Sequence, residues 1–508
     1  MLLPPIRPQS VRAQRIADLV PRLPGATLRG AADTLVTGIT HDSRQVRDGD
    51  VYLARAGEHT HGIAHVEQAL GAGAVAVLTD RASAGTAADA GARAVVEVDE
   101  PKAVAGPAAA WVYGDPAARL TLVGITGTNG KTTTAYLVDA GLRAAGLRTG
   151  LVGTVETRVG DDILPSVRTT PEATDLQALF AVMVEHQVSA VAMEVSSHAL
   201  ALDRVAGTAY AVAAFTNLSQ DHLDFHADME DYFAAKASLF TPALARCGVV
   251  CVDDAWGRRL AATASIPVVS VGPEPALWAR LEETVRPDGG RVSLRDPDGA
   301  RHDVDVSLPG RFNLRNAAVA YVALVAAGVD PQAARDGIAG LRAVPGRMER
   351  VDAGQPFLAV VDYAHTPEAV ATLLAEARTL AGPDGKVVVV LGCGGDRDRG
   401  KRPLMGAAAA EHADVAVLTN DNPRSEDPEA ILAAMAAGAT GRAEVIVHAD
   451  RREAIDIAVD RAARGDVVVI AGKGHEQGQE YADRTVPFDD RVVLREALHA
   501  HGYRQGVA

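Results

Sequence analysis

An apolar run, Leu120 to Ile125, leads into the glycine-rich loop Thr126-Gly127-Thr128-Asn129-Gly130-Lys131, and a helix-forming stretch from Thr132 to Ala145 follows at once. Strand, loop and helix in that order make a phosphate cradle. Glycines let the backbone approach the anion, amides at the helix N-terminus face it, and the lysine neutralises terminal phosphates. Gly127, Thr128, Asn129, Gly130, Lys131, Thr132 and Thr133 are therefore expected to hold a nucleotide, with Thr132 placed to touch a magnesium ion. The spacing departs from G-x-x-x-x-G-K-[ST] because Ile125 stands where the first glycine belongs, flanked by Gly124 and Gly127. No Asn-Lys-x-Asp guanine signature is present, which favours ATP over GTP. Such a loop requires an α/β domain built on a mostly parallel sheet flanked by helices.

With 508 residues the chain exceeds one hydrophobic core, since domains hold roughly 100–200 residues, and about three are expected. Strand-like runs Val51 to Ala54 and Ala74 to Leu78 mark a small α/β domain over 1–117. Residues 118–344 read as the central domain, where Val188 to Met193, Ala211 to Phe215 and Val249 to Val252 alternate with helical segments. After Val344-Pro345-Gly346 the runs Leu358 to Val361, Lys386 to Leu391, Val415 to Leu418, Glu444 to Val447 and Val467 to Ala471 predict a Rossmann-like domain over 345–508.

Hydrophobic residues at 48% and charged residues at 23% exclude a mainly disordered chain. A net charge of -15 argues against nucleic acid as a partner. The opening residues lack a continuous apolar stretch, and Ala317 to Val329 falls short of the ~18 residues that span a bilayer, so a cytoplasmic protein with no membrane insertion is expected. Cys247, Cys251 and Cys393 are too few for a disulfide framework.

Glu194 closes the run Val188 to Met193, which brings a carboxylate to a strand end near the phosphate loop, where a hard cation seeks oxygen ligands. Taken singly, Glu194 is also compatible with a surface carboxylate, His222 with a loop histidine and Lys236, on the helical segment around Tyr232, with a solvated lysine.

The run Thr126-Gly127-Thr128-Asn129-Gly130-Lys131-Thr132-Thr133-Thr134 resembles the Mur ligases, ATP-dependent amide-forming enzymes of peptidoglycan synthesis. Further motifs follow in the family's order over almost the whole chain: Asp42-Ser43-Arg44, Thr169-Thr170-Pro171, Glu194-Val195-Ser196-Ser197-His198, Asp221-His222-Leu223-Asp224, Ala234-Ala235-Lys236, Leu308-Pro309-Gly310-Arg311-Phe312-Asn313, Pro345-Gly346-Arg347, Asp362-Tyr363-Ala364-His365, Asp421-Asn422-Pro423-Arg424 and Gly472-Lys473-Gly474-His475-Glu476. The ordered set is specific where no single motif is.

The resemblance implies catalytic roles for Lys131, Glu194, His222 and Lys236, with Thr132, Glu194, His222 and Lys236 serving magnesium and Lys236 carbamylated to N6-carboxylysine. It places Asn313 near adenine and Arg347 and Asp362 near the phosphates and ribose of ATP, and leaves the role of His365 open. Ser43, Thr169, Thr170, Ser196 and Arg204 are implied to bind a UDP-sugar substrate, with a departure from the family pattern at Glu58-His59-Thr60 beside the uracil. Asp421-Asn422-Pro423-Arg424 resembles the motif of members that add diaminopimelate, whose arginine grips the distal carboxylate that lysine lacks. Arg397, Asp421, Asn422, Gly472 and Glu476 complete that implied pocket, with Glu476 suited to an ammonium group.

The implied activity is ATP-dependent joining of 2,6-diaminopimelate to UDP-N-acetylmuramoyl-L-alanyl-D-glutamate through an acyl phosphate, by a monomer whose C-terminal domain closes over the central one. Alternatives in the same class are a lysine-adding Mur ligase and a folylpolyglutamate synthase. Outside it stand a P-loop switch or motor and a non-catalytic binding protein that keeps the fold.

Overall fold

Strands such as Val387–Cys393 and Ala190–Glu194 are apolar and buried on both faces, a pattern that only a sheet covered by helices on both sides accommodates. The computed structural model describes residues 6–57, 60–164, 166 and 168–504. Glu58 and His59, where the departure beside the uracil was noted, lie outside the described residues. The chain divides into two compact units, Met1–Trp278 with Val319–Gly337, and Ala279–Ala318 with Ile338–Ala508.

The first unit carries two α/β sheets. The smaller runs in the order Thr27–Gly30, Ala94–Val98, Ala76–Asp80, Asp50–Leu53, Gly38–Thr40, parallel except for its first pair. In the larger, Thr149–Val152, Ala190–Glu194, Thr121–Thr126, Tyr210–Phe215, Ala245–Cys251 and Val268–Gly272 lie side by side and parallel. The loop strand Thr121–Thr126 is central, so its carboxyl end opens between the ends of Ala190–Glu194 and Tyr210–Phe215. Helix Lys131–Ala144 begins directly after the loop, close to the expected span.

The second unit holds a six-stranded sheet in the order Glu349–Arg350, Leu358–Asp362, Val467–Ala471, Val387–Cys393, Val415–Asn420, Glu444–Val447. All but the first pair are parallel, and helices cover both faces. Residues 279–306 form an antiparallel ribbon, in which Gly289–Arg295 pairs with Trp278–Arg286 on one side and with Arg301–Val306 on the other; the sequence reading assigned this span no element. Asn313 falls within Ala279–Ala318 of this unit. The reason is local packing: Val285 and Phe312 lie against the apolar core under the six-stranded sheet, and the Arg311 amide donates to Glu376 at 2.7 Å.

Among the described residues no helix is long and apolar enough to cross a membrane.

Within the first unit, helix Ala105–Val112 packs on helix Ala173–Glu185 and on the turn around Ala206. A Cβ at Gly106 would overlap the Ala206 carbonyl oxygen. Gly106→Ala should therefore cost about 1–3 kcal/mol by overpacking. Gly85→Ala, in helix Ala84–Asp89 with open space around it, should be neutral or stabilising by up to about 1 kcal/mol. Chemical denaturation of both variants checks this, and equal effects would contradict it.

Candidate active site

The loop needs no glycine at position 125, because Ile125 and Thr126 still pair with neighbouring strands as Glu194↔Ile125 and Phe215↔Thr126. The chain turns one step later, at Gly127, whose φ of 145° and close approach to Thr216 exclude a side chain. Two residues beyond strand Tyr210–Phe215 clamp the loop. The Thr128 amide donates to the Asn217 carbonyl and the Asn129 amide to Asn217 Oδ1, both at 2.9 Å. Thr216 Oγ1 and Asn217 Nδ2 donate to the Asn129 carbonyl at 2.6 and 3.0 Å.

Two ammonium groups converge on one carbonyl. Lys131 Nζ donates to the oxygens of Gly127 and Thr128 at 3.0 and 2.8 Å, and Lys236 Nζ to Gly127 at 2.8 Å. Lys236 sits in helix Met229–Ala237 and is only 1% exposed, with its nitrogen 4.5 Å from the centre of the Tyr232 ring. Burial, reinforced by the positive charge of Lys131, lowers its pKa well below the ordinary lysine value. The Tyr232 hydroxyl shares a hydrogen bond with Thr128 Oγ1 at 3.1 Å, which ties this helix to the loop.

Glu194 is also 1% exposed and accepts three hydrogen bonds: Thr132 Oγ1 at 3.0 Å, the Thr154 amide at 2.8 Å and Thr154 Oγ1 at 3.1 Å. The phosphate-loop threonine and the strand-end carboxylate thus meet as expected. His222 has a left-handed backbone, φ 55°, and its ring lies edge-on to His198 at 4.8 Å and to Tyr232 at 6.0 Å. Burial, with help from His198, Lys131 and Lys236 and against Asp221, lowers its pKa to about 4, so the imidazole is neutral at neutral pH.

Thr169, Thr170, Ser196 and Arg204 form one wall beside Glu194. Thr169 Oγ1 bonds Thr154 Oγ1 at 3.0 Å, and Thr170 Oγ1 donates to the Glu194 carbonyl at 2.9 Å while accepting from the Ser196 amide at 3.1 Å. Ser196 Oγ caps helix Ser197–Ala201. Arg204 pairs with Glu172 at 2.9 Å, and Glu172 also holds Arg55 at 2.9 Å and Arg168. Burial works against the Glu172 charge, but Arg204 and Arg55 outweigh it and hold its pKa below the usual carboxylate range. Ser43 lies apart from this wall in its contacts, donating to Gln68 of helix Val66–Gly71 at 3.0 Å.

In the second unit the expected residues gather at the carboxyl ends of the parallel strands, where open α/β sheets bind ligands. Asp362 accepts from the amides of Met348 and Ala364, both at 2.8 Å; burial raises its pKa and Arg347 pulls it back. Arg347 stacks on Tyr363 at 4.6 Å. Gly346 lies so close to Gly474 and His475 that no side chain fits, which brings these two motifs together. Asn313 is fully buried, its amide nitrogen donating to the Pro309 carbonyl at 2.7 Å.

Asn422 Nδ2 donates to Glu476 at 2.8 Å, and the buried Lys473 donates to Asn422 Oδ1 at 2.8 Å and to Glu476 at 3.1 Å. Arg424, at φ 53°, pairs through Nε with Glu480 at 2.8 Å and through Nη1 with the Gly395 carbonyl at 2.8 Å. These bonds use two of its five donors. Asp421 adjoins Gly472, and Arg397 lies exposed nearby, with Nη1 on the Asp396 carbonyl at 3.1 Å.

The sequence reading missed Asn217, Thr154, Glu172, Tyr232 and the role of Lys473. Asn217 follows strand Tyr210–Phe215 within two residues and Glu172 follows Thr169-Thr170-Pro171 directly, so polar residues next to a recognised strand or motif were the available signal. Thr154 and Tyr232 carried none.

A phosphate loop beside a buried carboxylate and a second, buried lysine, in a chain that also carries a Rossmann-like sheet, defines a nucleotide-dependent α/β enzyme. Family models match over most of the chain: "Mur ligase family, catalytic domain" over residues 35–112, "Mur ligase middle domain" over 125–324 and "Mur ligase, glutamate ligase domain" over 346–474. The chain belongs to the Mur ligase family. It is 56% identical over 502 residues to the UDP-N-acetylmuramoyl-L-alanyl-D-glutamate--2,6-diaminopimelate ligase of Streptomyces coelicolor, covering 97% of this chain and 98% of the relative. The ligase of the same name from Corynebacterium glutamicum is 47% identical, covering 93% and 94%. A solved structure of a ligase of that name aligns with a TM-score of 0.69 at 32% identity, covering 96% of this chain and 99% of the other.

The lowered pKa of Lys236 has a thermodynamic consequence. Its folded-state pKa lies below its unfolded value, so the unfolded chain binds more protons and stability rises with pH between the two values. Lys236→Met should remove that slope and raise the melting temperature of the ligand-free protein at neutral pH, as thermal unfolding across pH would record.

Proposed function

We propose that this protein is an ATP-dependent amide ligase that joins 2,6-diaminopimelate to UDP-N-acetylmuramoyl-L-alanyl-D-glutamate in the cytoplasm. The observation that carries the reading is the pair of lysines on the Gly127 carbonyl, one from the phosphate loop and one buried. A nucleotide switch needs the first; the second, a buried amine that gives up its proton more readily than an ordinary lysine, suits a ligase that uses a carbamate. Similarity to ligases named for this substrate pair, over nearly the full chain, supports the same conclusion.

The donor set fits a magnesium ion. Glu194 is a buried carboxylate already facing the Thr132 hydroxyl, and His222 is a neutral imidazole. We assign Thr132, Glu194, His222 and carbamylated Lys236 to hold magnesium, which when bound offsets negative charge on the phosphoryl group. Loop amides and Lys131 position the γ-phosphate for in-line attack by the substrate carboxylate. The carboxylate oxygen bonds to phosphorus, ADP leaves, and the amine of the amino acid then attacks the acyl carbon and expels phosphate. Thr169, Thr170, Ser196 and Arg204, with Ser43, serve the UDP-linked substrate; Asn313, Arg347 and Asp362 serve ATP.

Arg397, Asp421, Asn422, Arg424, Gly472 and Glu476 form the diaminopimelate site, with Arg424 facing the distal carboxylate and Glu476 an ammonium group. Residues 1–117, 118–344 and 345–508 are taken as the substrate, ATP and amino-acid domains of a monomer.

Phosphate release with ATP, magnesium and the UDP-dipeptide should require diaminopimelate and not L-lysine, with the product gaining one diaminopimelate by mass. Release with neither amino acid would overturn the ligase reading. Lys236→Ala should lose most turnover, roughly 10²-fold or more, and recover part of it with added short-chain carboxylates. Full activity would remove the carbamate. Arg424→Lys should raise the diaminopimelate KM about tenfold or more while leaving the KM for ATP within about twofold. Steady-state kinetics with each substrate varied in turn reads both.

A further inference from the structure

Among the described residues the largest fully buried side chain is a charged one, Arg451, with an exposure of 1%. It opens helix Arg451–Asp460, and its fork grips Asp490: Nε to Oδ1 at 2.8 Å and Nη2 to Oδ2 at 2.7 Å, with both side chains wholly out of solvent. Asp490 is the first residue of helix Asp490–Ala500, where the helix dipole favours a carboxylate. Burial opposes the charge on Arg451, and Asp490 outweighs it, so the guanidinium stays protonated.

The same guanidinium reaches the sheet. Nη1 donates to the Asn420 carbonyl at 3.3 Å and Nη2 to the Ala471 carbonyl at 2.9 Å. Those are the last residues of strands Val415–Asn420 and Val467–Ala471, which lie on either side of Val387–Cys393 and do not pair with each other. Beyond Asn420 come Asp421 and Asn422; beyond Ala471 come Gly472 and, four residues on, Glu476. One buried cation thus links two strand ends that no ladder hydrogen bond joins, and the chain leaves both ends carrying site residues. Arg451 also feels the charges of Asp421 and Glu476. An apolar pair would bury more cheaply, since replacing a buried ion pair by packed hydrophobic residues is often neutral or stabilising. Stability alone does not require this arginine.

We propose that Arg451, held by Asp490, is a positioning residue for the amino-acid site, fixing the separation of the Asp421-Asn422 loop from the Gly472–Glu476 loop. The inference rests on the reading of these strand ends as the amino-acid site. The contact between the two loops, Asn422 with Glu476, is short enough that a displacement of about 1 Å would break it, and misplacements of that size can cost two orders of magnitude.

Single substitutions at either residue strand a buried charge and are expected to unfold the protein in part. The test is therefore the double variant Arg451→Met with Asp490→Leu, which removes both charges and keeps the core filled. Its melting temperature should fall less than that of either single variant, the remaining loss coming from the Asn420 and Ala471 carbonyls, while the diaminopimelate KM rises by about tenfold or more and the KM for ATP and the UDP-dipeptide stays within about twofold. Hydrogen exchange at the amides of Gly472, Glu476 and Glu480 should accelerate in the ligand-free double variant, a readout that needs no turnover. An unchanged diaminopimelate KM with unchanged exchange would overturn the inference, as would an equal rise in all three KM values. Should the wild type fail to couple diaminopimelate at all, the proposed function falls, while the exchange rates still decide whether Arg451 fixes the two loops.

Discussion

The carbonyl oxygen of Gly127 accepts hydrogen bonds from two lysines, and much of the first unit exists to make that convergence tolerable. Two ammonium groups on one acceptor repel each other, and burial together with that repulsion lowers the pKa of Lys236, so its proton is held less tightly. That solution requires Lys236 to approach from a helix packed against the loop, which Tyr232 secures through Thr128. The loop backbone is held in addition by Thr216 and Asn217, which bond the carbonyl and amide of Asn129.

Charge burial recurs wherever the chemistry is placed. Glu194, Lys236, Asp362, Lys473 and Arg451 are each removed from water, and each has polar partners at hydrogen-bond distance. Such groups are costly to leave unpaired, so their partners become as necessary to the site as the groups themselves. Thr154 and Asn217 have that status in the first unit, and Lys473 and Arg451 in the second.

Apolar runs and punctuation made the α/β class and most of the parallel strands legible, because a strand buried on both faces leaves an unbroken hydrophobic signature, while Gly38–Thr40, Ala94–Val98, Thr149–Val152 and Val268–Gly272 were missed. The ribbon over residues 278–306 escaped because its strands alternate polar and apolar residues and one face stays wet. The ordered motifs supplied the site residues. The structure brings Thr132 to Glu194, gathers Thr169, Thr170, Ser196 and Arg204, and joins Asn422 to Glu476, contacts that no spacing in the chain could reveal. Arg451 was illegible for a physical reason: a lone arginine at a helix start reads as surface charge, and only the fold turns it inward.

Glu172, with Arg55, Arg168 and Arg204 around it, leaves an excess of positive charge on a protein whose formal net charge is -15. A polyanion approaching from afar meets repulsion, and within a few ångströms of that wall it meets attraction. Salt screens the long-range part first, because the Debye length is ~10 Å at 0.1 M, while partly buried pairs are screened much less. Raising ionic strength from very dilute buffer would thus speed encounter before it weakens retention, so the affinity for an anionic ligand passes through a maximum rather than falling steadily.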